Sequence, residues 1–131
     1  MGENGRMDRS RPAPLRDTAL VAAGAAVGAL ARWQIAELLD TEPGQLPWET
    51  LIVNLVGCAL IGVAAARLRP GSASWLLAVT GLLGGFTTFS AFANETRSLL
   101  DAGRTEIAFG YVGVTLAGGL AAVAIGRRAG S

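Results

Sequence analysis

Four apolar stretches, each about long enough to cross a lipid bilayer, dominate this chain. They cover roughly residues 18–39, 48–66, 75–93 and 107–125 of 131. A helix needs about 20 residues to cross the ~30 Å hydrocarbon core. The pattern predicts an all-α integral membrane protein with four transmembrane helices in one domain, 18–127. The segments 1–17 and 128–131 are predicted to be tails, the first of them polar and disordered.

The charge pattern agrees with a membrane protein and excludes nucleic acid as a partner. Charged residues make up 16% of the chain, below the roughly 25% usual for soluble domains. All eleven basic residues are arginines, and they are scattered between the apolar stretches without forming a basic face. Cys58 is the only cysteine and lies in an apolar stretch, where we interpret it as a packing residue. Membrane lipid is therefore the expected surrounding.

The loops predict topology and orientation. Short polar connections at 40–44, 67–71 and 101–104 favour antiparallel neighbouring helices. If the helices alternate in direction, one side carries eight arginines and the other only Arg97 and Arg104. The positive-inside rule then places both termini in the cytoplasm of a multi-pass cell-membrane protein. The eight are Arg6, Arg9, Arg11, Arg16, Arg67, Arg69, Arg127 and Arg128.

Residues 81–95, GLLGGFTTFSAFANE, interrupt the third apolar stretch with glycine and hydroxyl residues. Backbone that leaves helical geometry inside a bilayer persists only where protein surrounds it or where it lines a polar cavity. We therefore predict that the third helix is broken near mid-membrane and carries an ion or substrate site. Carbonyl groups between Gly84 and Thr88 could coordinate a sodium ion there.

Other polar residues lie inside the predicted spans. Arg32 either extends its charge to the interface or provides a fixed positive charge at the mouth of an anion path. Asn54 either forms an interhelical hydrogen bond or donates its amide to an anion, and Thr50 lies on the same helical face. Tyr111 and Thr115 form a similar pair in the fourth stretch. A hydroxyl in a membrane helix often only bonds the carbonyl four residues earlier, and that alternative stays open for each of them.

Aromatic and small residues leave further alternatives open. Phe86, Phe89 and Phe92 recur every three residues; such rings face lipid, pack, or point their partly positive edges at a small anion. Gly24 and Gly28 share one helical face, which predicts either tight packing within the subunit or a dimer interface.

The motif at 84–92, GGFTTFSAF, resembles the third-helix signature GGxTTFSTF of the CrcB/Fluc family of fluoride channels. Weaker similarities lie at 28–33 (GALARW), at Thr50 with 54–57 (NLVG), and at Tyr111 with Thr115. The resemblance covers roughly residues 20–126.

This resemblance implies an antiparallel dimer of four-helix subunits, not an enzyme, that exports fluoride from the cytoplasm and so lowers its toxicity. It implies a structural sodium ion at the dimer centre, held by the main-chain carbonyls of Gly84 and Thr87. The second subunit is this chain inverted or, given the arginine bias, an oppositely oriented paralogue. The expected anion path comprises Thr50, Asn54, Thr88, Phe89, Ser90, Phe92, Tyr111 and Thr115, with Arg32 as the vestibule charge.

One departure and two alternatives accompany this interpretation. Ala91 stands where the family motif has Thr, so one hydroxyl of the polar path is missing.

A small multidrug-type proton antiporter also has four short helices, but its chemistry needs a carboxylate deep in the membrane. Glu37, Glu49 and Glu95 all lie near the ends of the spans. A purely structural membrane subunit leaves the glycine and threonine motif unexplained.

Overall fold

The computed structural model describes residues 15–39 and 41–131, and every regular element in that part of the chain is helical. Most of the predicted N-terminal tail lies outside the described residues. The elements are α1 (Leu15–Leu39), α2 (Trp48–Arg67), α3 (Ala73–Trp75), a π-helical segment (Leu76–Leu83), α4 (Gly84–Phe86), α5 (Phe89–Asp101) and α6 (Thr105–Gly130).

Four helical stretches are long and apolar enough to cross a membrane, which confirms the predicted fold class at that level. They are α1, α2, the composite stretch Ala73–Asp101 and α6, with mean hydropathies between 1.4 and 1.9. Helical geometry continues past the predicted spans, because a helix can extend beyond the hydrocarbon core when its residues are polar, as Arg97 and Asp101 are. These two form an ion pair one turn apart at 3.3 Å.

The helices pack as two parallel pairs. Gly24 and Gly28 of α1 meet the π-helical segment and α4 in the same order along the chain, so α1 runs parallel to the third stretch. Gly62 of α2 meets Gly126 of α6, while Leu51 at the start of α2 lies in one cluster with Ala108 of α6. An up-down-up-down arrangement follows. The connections turn at glycines with left-handed backbone, including Gly71 (φ 78°) and Gly103 (φ 71°).

Glycine permits the backbones within each pair to touch. A Cβ atom on Gly28 would overlap the carbonyl oxygen of Leu82, and one on Gly126 would overlap that of Ala59. Close backbone approach is a main source of helix association in lipid, where apolar side chains gain little by leaving the solvent. Of the two roles left open for Gly24 and Gly28, the structure shows packing within the subunit.

Gly28→Val is therefore expected to destabilise the subunit by at least about 1–3 kcal/mol, since neither backbone can move aside without disturbing its own helix. Thermal unfolding in detergent measures the effect. Gly113→Ala is the matched control, because a Cβ atom there meets nothing within 4 Å in the subunit. Equal melting temperatures for the two variants would contradict this account of the packing.

The buried apolar cluster lies at the end of the bundle away from the chain termini. Leu51, Leu99, Ala108 and Tyr111 form it, at the junction of α2, α5 and α6, and Tyr111 has no exposed surface. Elsewhere many large apolar side chains remain exposed, including Trp33 at 59% and Leu120 at 76%. The subunit thus buries its apolar side-chain cluster at one end and presents apolar surface along its length.

The third stretch changes backbone geometry at two residues, which we call the Thr87–Thr88 link. Thr87 has φ −78° and ψ 158°, and Thr88 has φ −146° and ψ 126°, so both are extended. The sequence suggested that Gly84 and Gly85 would leave helical geometry, but both are helical. Threonine favours extended backbone because of its branched Cβ, whereas Gly85 is needed for contact with Ala25 of α1.

Candidate functional site

Asn54 closes the Thr87–Thr88 link from α2. Its Nδ2 group donates to the Thr88 carbonyl at 2.9 Å, and its Oδ1 accepts from the Thr88 N–H at 2.9 Å. The amide oxygen thus replaces the acceptor that a continuous helix would have given the Thr88 N–H, and the amide nitrogen adds a donor to the Thr88 carbonyl. The interhelical hydrogen bond considered for Asn54 exists, and one N–H of its amide is left for another acceptor.

The link leaves four main-chain carbonyls, those of residues 84–87, without their usual helical donors, because the first N–H groups of α5 have no acceptor within that helix. In a continuous helix the Thr88 N–H would donate to the Gly84 carbonyl, and the Ala91 N–H to the Thr87 carbonyl. Here the Thr88 N–H donates to Asn54, and the Ala91 N–H donates to Thr88 Oγ1 at 3.1 Å. The family resemblance implies that the carbonyls of Gly84 and Thr87 bind sodium, and these are the two whose helical donors are diverted to side chains.

Arg32 supplies a donor to the carbonyl between them. Its Nε group donates to the Gly85 carbonyl at 3.3 Å, so α1 as well as α2 supports the link. The side chain is partly exposed and lines a cavity of 170 Å³ at the end of the bundle away from the chain termini. We call this cavity the vestibule; its other lining residues are Ala36, Glu49, Thr50, Val53, Thr88, Ala91 and Glu95. The hydroxyl that Ala91 lacks would have faced this cavity.

Glu95 joins three helices, and sequence reasoning missed it. Thr50 donates to Glu95 Oε1 at 2.7 Å and Tyr111 donates to Oε2 at 2.7 Å. Its position near a span end suggested an interfacial carboxylate, yet it lies half-buried between α2 and α6. The spacing Thr88, Ala91, Glu95 places all three on one face of α5, and this periodicity is the signal that could have found it.

A larger groove opens on the other side of the link. It has a volume of 560 Å³ and its walls are mostly apolar. Phe89 is 79% exposed there and approaches Phe92 with ring centroids 5.9 Å apart; Phe92 in turn lies 5.2 Å from Tyr111. The remaining lining residues are Asn54, Cys58, Ile61, Thr87, Thr88, Thr115, Leu116, Gly119, Leu120 and Val123.

The hydroxyl groups differ in how they are used. Thr87 Oγ1 bonds the Leu83 carbonyl four residues earlier, at 2.9 Å, as the simpler alternative supposed for such residues. Thr50 bonds Glu95 instead, and Thr88 Oγ1 lies 3.2 Å from Ser90 Oγ. Thr115 Oγ1 is buried and has no hydrogen-bond partner among the described residues. The groove thus contains one hydroxyl whose donor is uncommitted.

Most of the predicted pore residues form two groups that meet at Thr88, whereas Ser90 is exposed and lines neither the vestibule nor the groove. Arg32, Thr50 and Thr88 line the vestibule; Asn54, Thr88, Phe89, Phe92 and Thr115 line the groove. Tyr111 contacts both groups through Glu95 and Phe92. Within residues 15–39 and 41–131 no cluster of His, Cys, Asp or Glu side chains could hold a metal ion.

Comparison with known proteins places the chain in a family. The family described as "CrcB-like protein, Camphor Resistance (CrcB)" matches residues 19–127. A protein of Bordetella petrii named "Fluoride-specific ion channel FluC" is 48% identical over 110 residues, 81% of this chain and 84% of the relative.

Two further relatives match over similar lengths. "Fluoride-specific ion channel FluC 2" of Nocardia farcinica is 40% identical over 126 residues, 92% of this chain and 90% of the relative. The protein of that name in Symbiobacterium thermophilum is 46% identical over 113 residues, 82% of this chain and 92% of the relative. All three relatives are named as ion channels and none as an enzyme, in agreement with the prediction for this chain. From this match across its four membrane-length helices, the chain belongs to the CrcB family and is a multi-pass membrane protein.

Proposed function

We propose that this chain is the subunit of a fluoride-selective channel that lets fluoride leave the cytoplasm and so lowers its toxicity. The observation that carries the proposal is the Thr87–Thr88 link, a polar backbone segment inside a membrane-length helix with Asn54 on one side and Phe89 on the other. The identity of the ion, fluoride, is taken from the names of the relatives.

The chemistry of the link suits a small, strongly hydrated anion. Fluoride is a strong hydrogen-bond acceptor, so neutral amide and hydroxyl donors can replace its water, with ring edges adding weaker stabilisation. A full positive charge deep in the path would bind fluoride too tightly for conduction. Arg32 lies in the vestibule and its guanidinium is engaged with the Gly85 carbonyl, which leaves Asn54 and the hydroxyls as the inner donors.

The path would run from the vestibule past Thr88 into the groove beside Phe89 and Phe92. A groove with one open side cannot guide an ion through lipid. We therefore propose that a second, inverted subunit closes it, as the family resemblance implies, and that the link then lies near mid-membrane. The exposed apolar residues that line the groove support a protein partner there: Phe89, Leu116 and Leu120.

A structural sodium ion fits the carbonyls of Gly84 and Thr87. Both oxygens have lost their helical donors, and Gly84 is exposed on the subunit surface, where a partner could approach. Main-chain carbonyls at interrupted membrane helices are established sodium ligands. The ion, when bound between two subunits, would neutralise these dipoles and hold the subunits together.

The small multidrug-type antiporter is not favoured by the family match. Its chemistry needs a carboxylate between the helices, and Glu95 is half-buried in such a position. Proton coupling is therefore a useful variable in the test of function.

Proteoliposomes containing the purified chain and loaded with fluoride test the proposal. Fluoride should leave when a potassium ionophore removes the opposing voltage, and chloride should not follow at a comparable rate. Detergent solution imposes no orientation, so inverted copies can pair before reconstitution. Chloride efflux equal to fluoride efflux, or efflux that requires a proton gradient, would refute a fluoride-selective channel.

The arginine bias predicts the orientation during biosynthesis. We propose that both termini are cytoplasmic in nearly all copies, so that in the cell this chain pairs with an oppositely biased paralogue. A cysteine added after Ser131 in a Cys58→Ala background should be labelled by impermeant thiol reagents from the cytoplasmic side only. Equal labelling from both sides would show dual orientation and support a homodimer of inverted copies.

A further inference from the structure

The hydroxyl protons of two expected pore residues are donated to a carboxylate. Thr50 and Tyr111 each donate to a different oxygen of Glu95, both at 2.7 Å. Thr50 is 5% exposed and Tyr111 is not exposed, so water does not supply an alternative acceptor to either. Glu95 itself faces the vestibule beside Thr88.

The number of protons limits what these hydroxyls can do. A hydroxyl has one proton to donate, and a carboxylate only accepts. While Glu95 accepts from both residues, neither Thr50 nor Tyr111 can donate to fluoride. An anion that uses these groups must first take them from the carboxylate.

The neighbouring charged side chains have other hydrogen-bond partners and do not compete with the two hydroxyls for Glu95. Glu49, the other carboxylate of the vestibule, accepts a hydrogen bond from Thr41 in the α1–α2 loop. Arg32, the cation of the vestibule, donates its Nε to the Gly85 carbonyl. Among the described residues the ion pair is between Arg97 and Asp101, and Glu95 takes no part in it. The Glu95 carboxylate accepts hydrogen bonds from the two hydroxyls.

We propose that Glu95 is a specificity-determining residue, a resident acceptor with which any permeating anion must compete for the protons of Thr50 and Tyr111. The inference rests on the proposed function and identifies how that site selects its ion. Fluoride, a strong acceptor, can take these protons from a carboxylate, whereas chloride, a weak acceptor, cannot. A buried donor that an anion fails to recruit offers it no replacement for lost water. Because Tyr111 packs on Phe92, the Tyr111 hydroxyl leaves Glu95 beside the aromatic part of the path.

Glu95→Gln tests the proposal with almost no change in shape. The amide replaces one accepting oxygen by a donating NH2 group, so at least one of the two hydroxyl protons becomes available to any anion. Chloride efflux from proteoliposomes should rise about tenfold or more over that of the unmodified chain, which lowers the selectivity for fluoride. In a Thr50→Val/Tyr111→Phe background the same substitution should leave chloride efflux unchanged, because the hydroxyls through which it acts are gone.

Glu95→Asp separates hydrogen bonding from charge and serves if Glu95→Gln does not assemble. Aspartate keeps the negative charge but is one methylene shorter, so it cannot reach both hydroxyls, and chloride efflux should rise again. Chloride efflux at the unmodified level in either assembled variant overturns the inference, as does an equal rise in the double-substituted background. An unmodified chain that passes no fluoride would instead refute the proposed function.

Discussion

Gly84→Leu should leave the individual subunit folded and abolish the proposed sodium-dependent dimer. Gly84 is exposed, and a Cβ atom there would have one neighbour within 4 Å in the subunit, the Val79 carbonyl oxygen at 3.8 Å. Packing within the subunit therefore does not explain the glycine, whereas an isobutyl group would keep a partner and an ion away from the carbonyl. Fluoride efflux should fall by about 100-fold or more, since half-paths open to lipid do not conduct.

Two substitutions in the same segment serve as controls. Gly85→Leu should unfold the subunit itself, because a Cβ atom there would overlap the carbonyl oxygen of Ala25. Thr87→Ser should have little effect, since its hydroxyl bonds the Leu83 carbonyl and the proposed sodium ligand is the backbone. Size-exclusion chromatography and cross-linking with and without sodium measure the outcome. A Gly84→Leu dimer that sodium still stabilises would show that the sodium site is misplaced.

Asn54→Leu should damage both the shape of the link and conduction. The substitution leaves the Thr88 N–H without its acceptor, at a cost of roughly 1–3 kcal/mol when no water replaces it, and removes the second donor to the Thr88 carbonyl. It also returns the Thr88 N–H to compete for the Gly84 carbonyl, so sodium dependence of assembly should weaken. We expect a loss of thermal stability together with loss of most fluoride efflux.

Thr115→Val is the matched control for stability in the same groove. Its hydroxyl has no hydrogen-bond partner among the described residues, so its removal should cost little folding free energy. Thermal unfolding in detergent compares the two variants. An Asn54→Leu protein as stable and as active as the unmodified chain would contradict the role assigned to the Asn54 amide.

The four membrane-length helices could be predicted from the sequence because bilayer thickness fixes their length and hydropathy marks it. The ends of the helices could not be predicted, since helical geometry does not stop at the hydrocarbon boundary. The third stretch, for example, continues to Asp101. The roles of the glycines also needed the structure. Gly28 and Gly85 contact other backbones within the subunit, while Gly84 in the same motif contacts almost nothing.

At the candidate site, the sequence identified residue types but not their partners. Asn54 and Thr88 are far apart in sequence, and only packing of α2 against the third stretch brings the amide to the link. The sequence places Glu95 near an interface because it shows depth only as distance along a span. Its contacts come from α2 and α6, which hydropathy along one helix cannot reveal.

Reversal potentials in planar bilayers test the central proposal, fluoride-selective conduction, most directly. With a tenfold fluoride gradient balanced by an impermeant anion, and with chloride and cations equal on both sides, a fluoride-selective channel should reverse its current at about 59 mV in magnitude. The sign should follow the fluoride gradient, and imposing a chloride gradient instead should leave the potential near zero. A reversal potential that follows chloride or the cations would contradict the assignment of fluoride as the conducted ion.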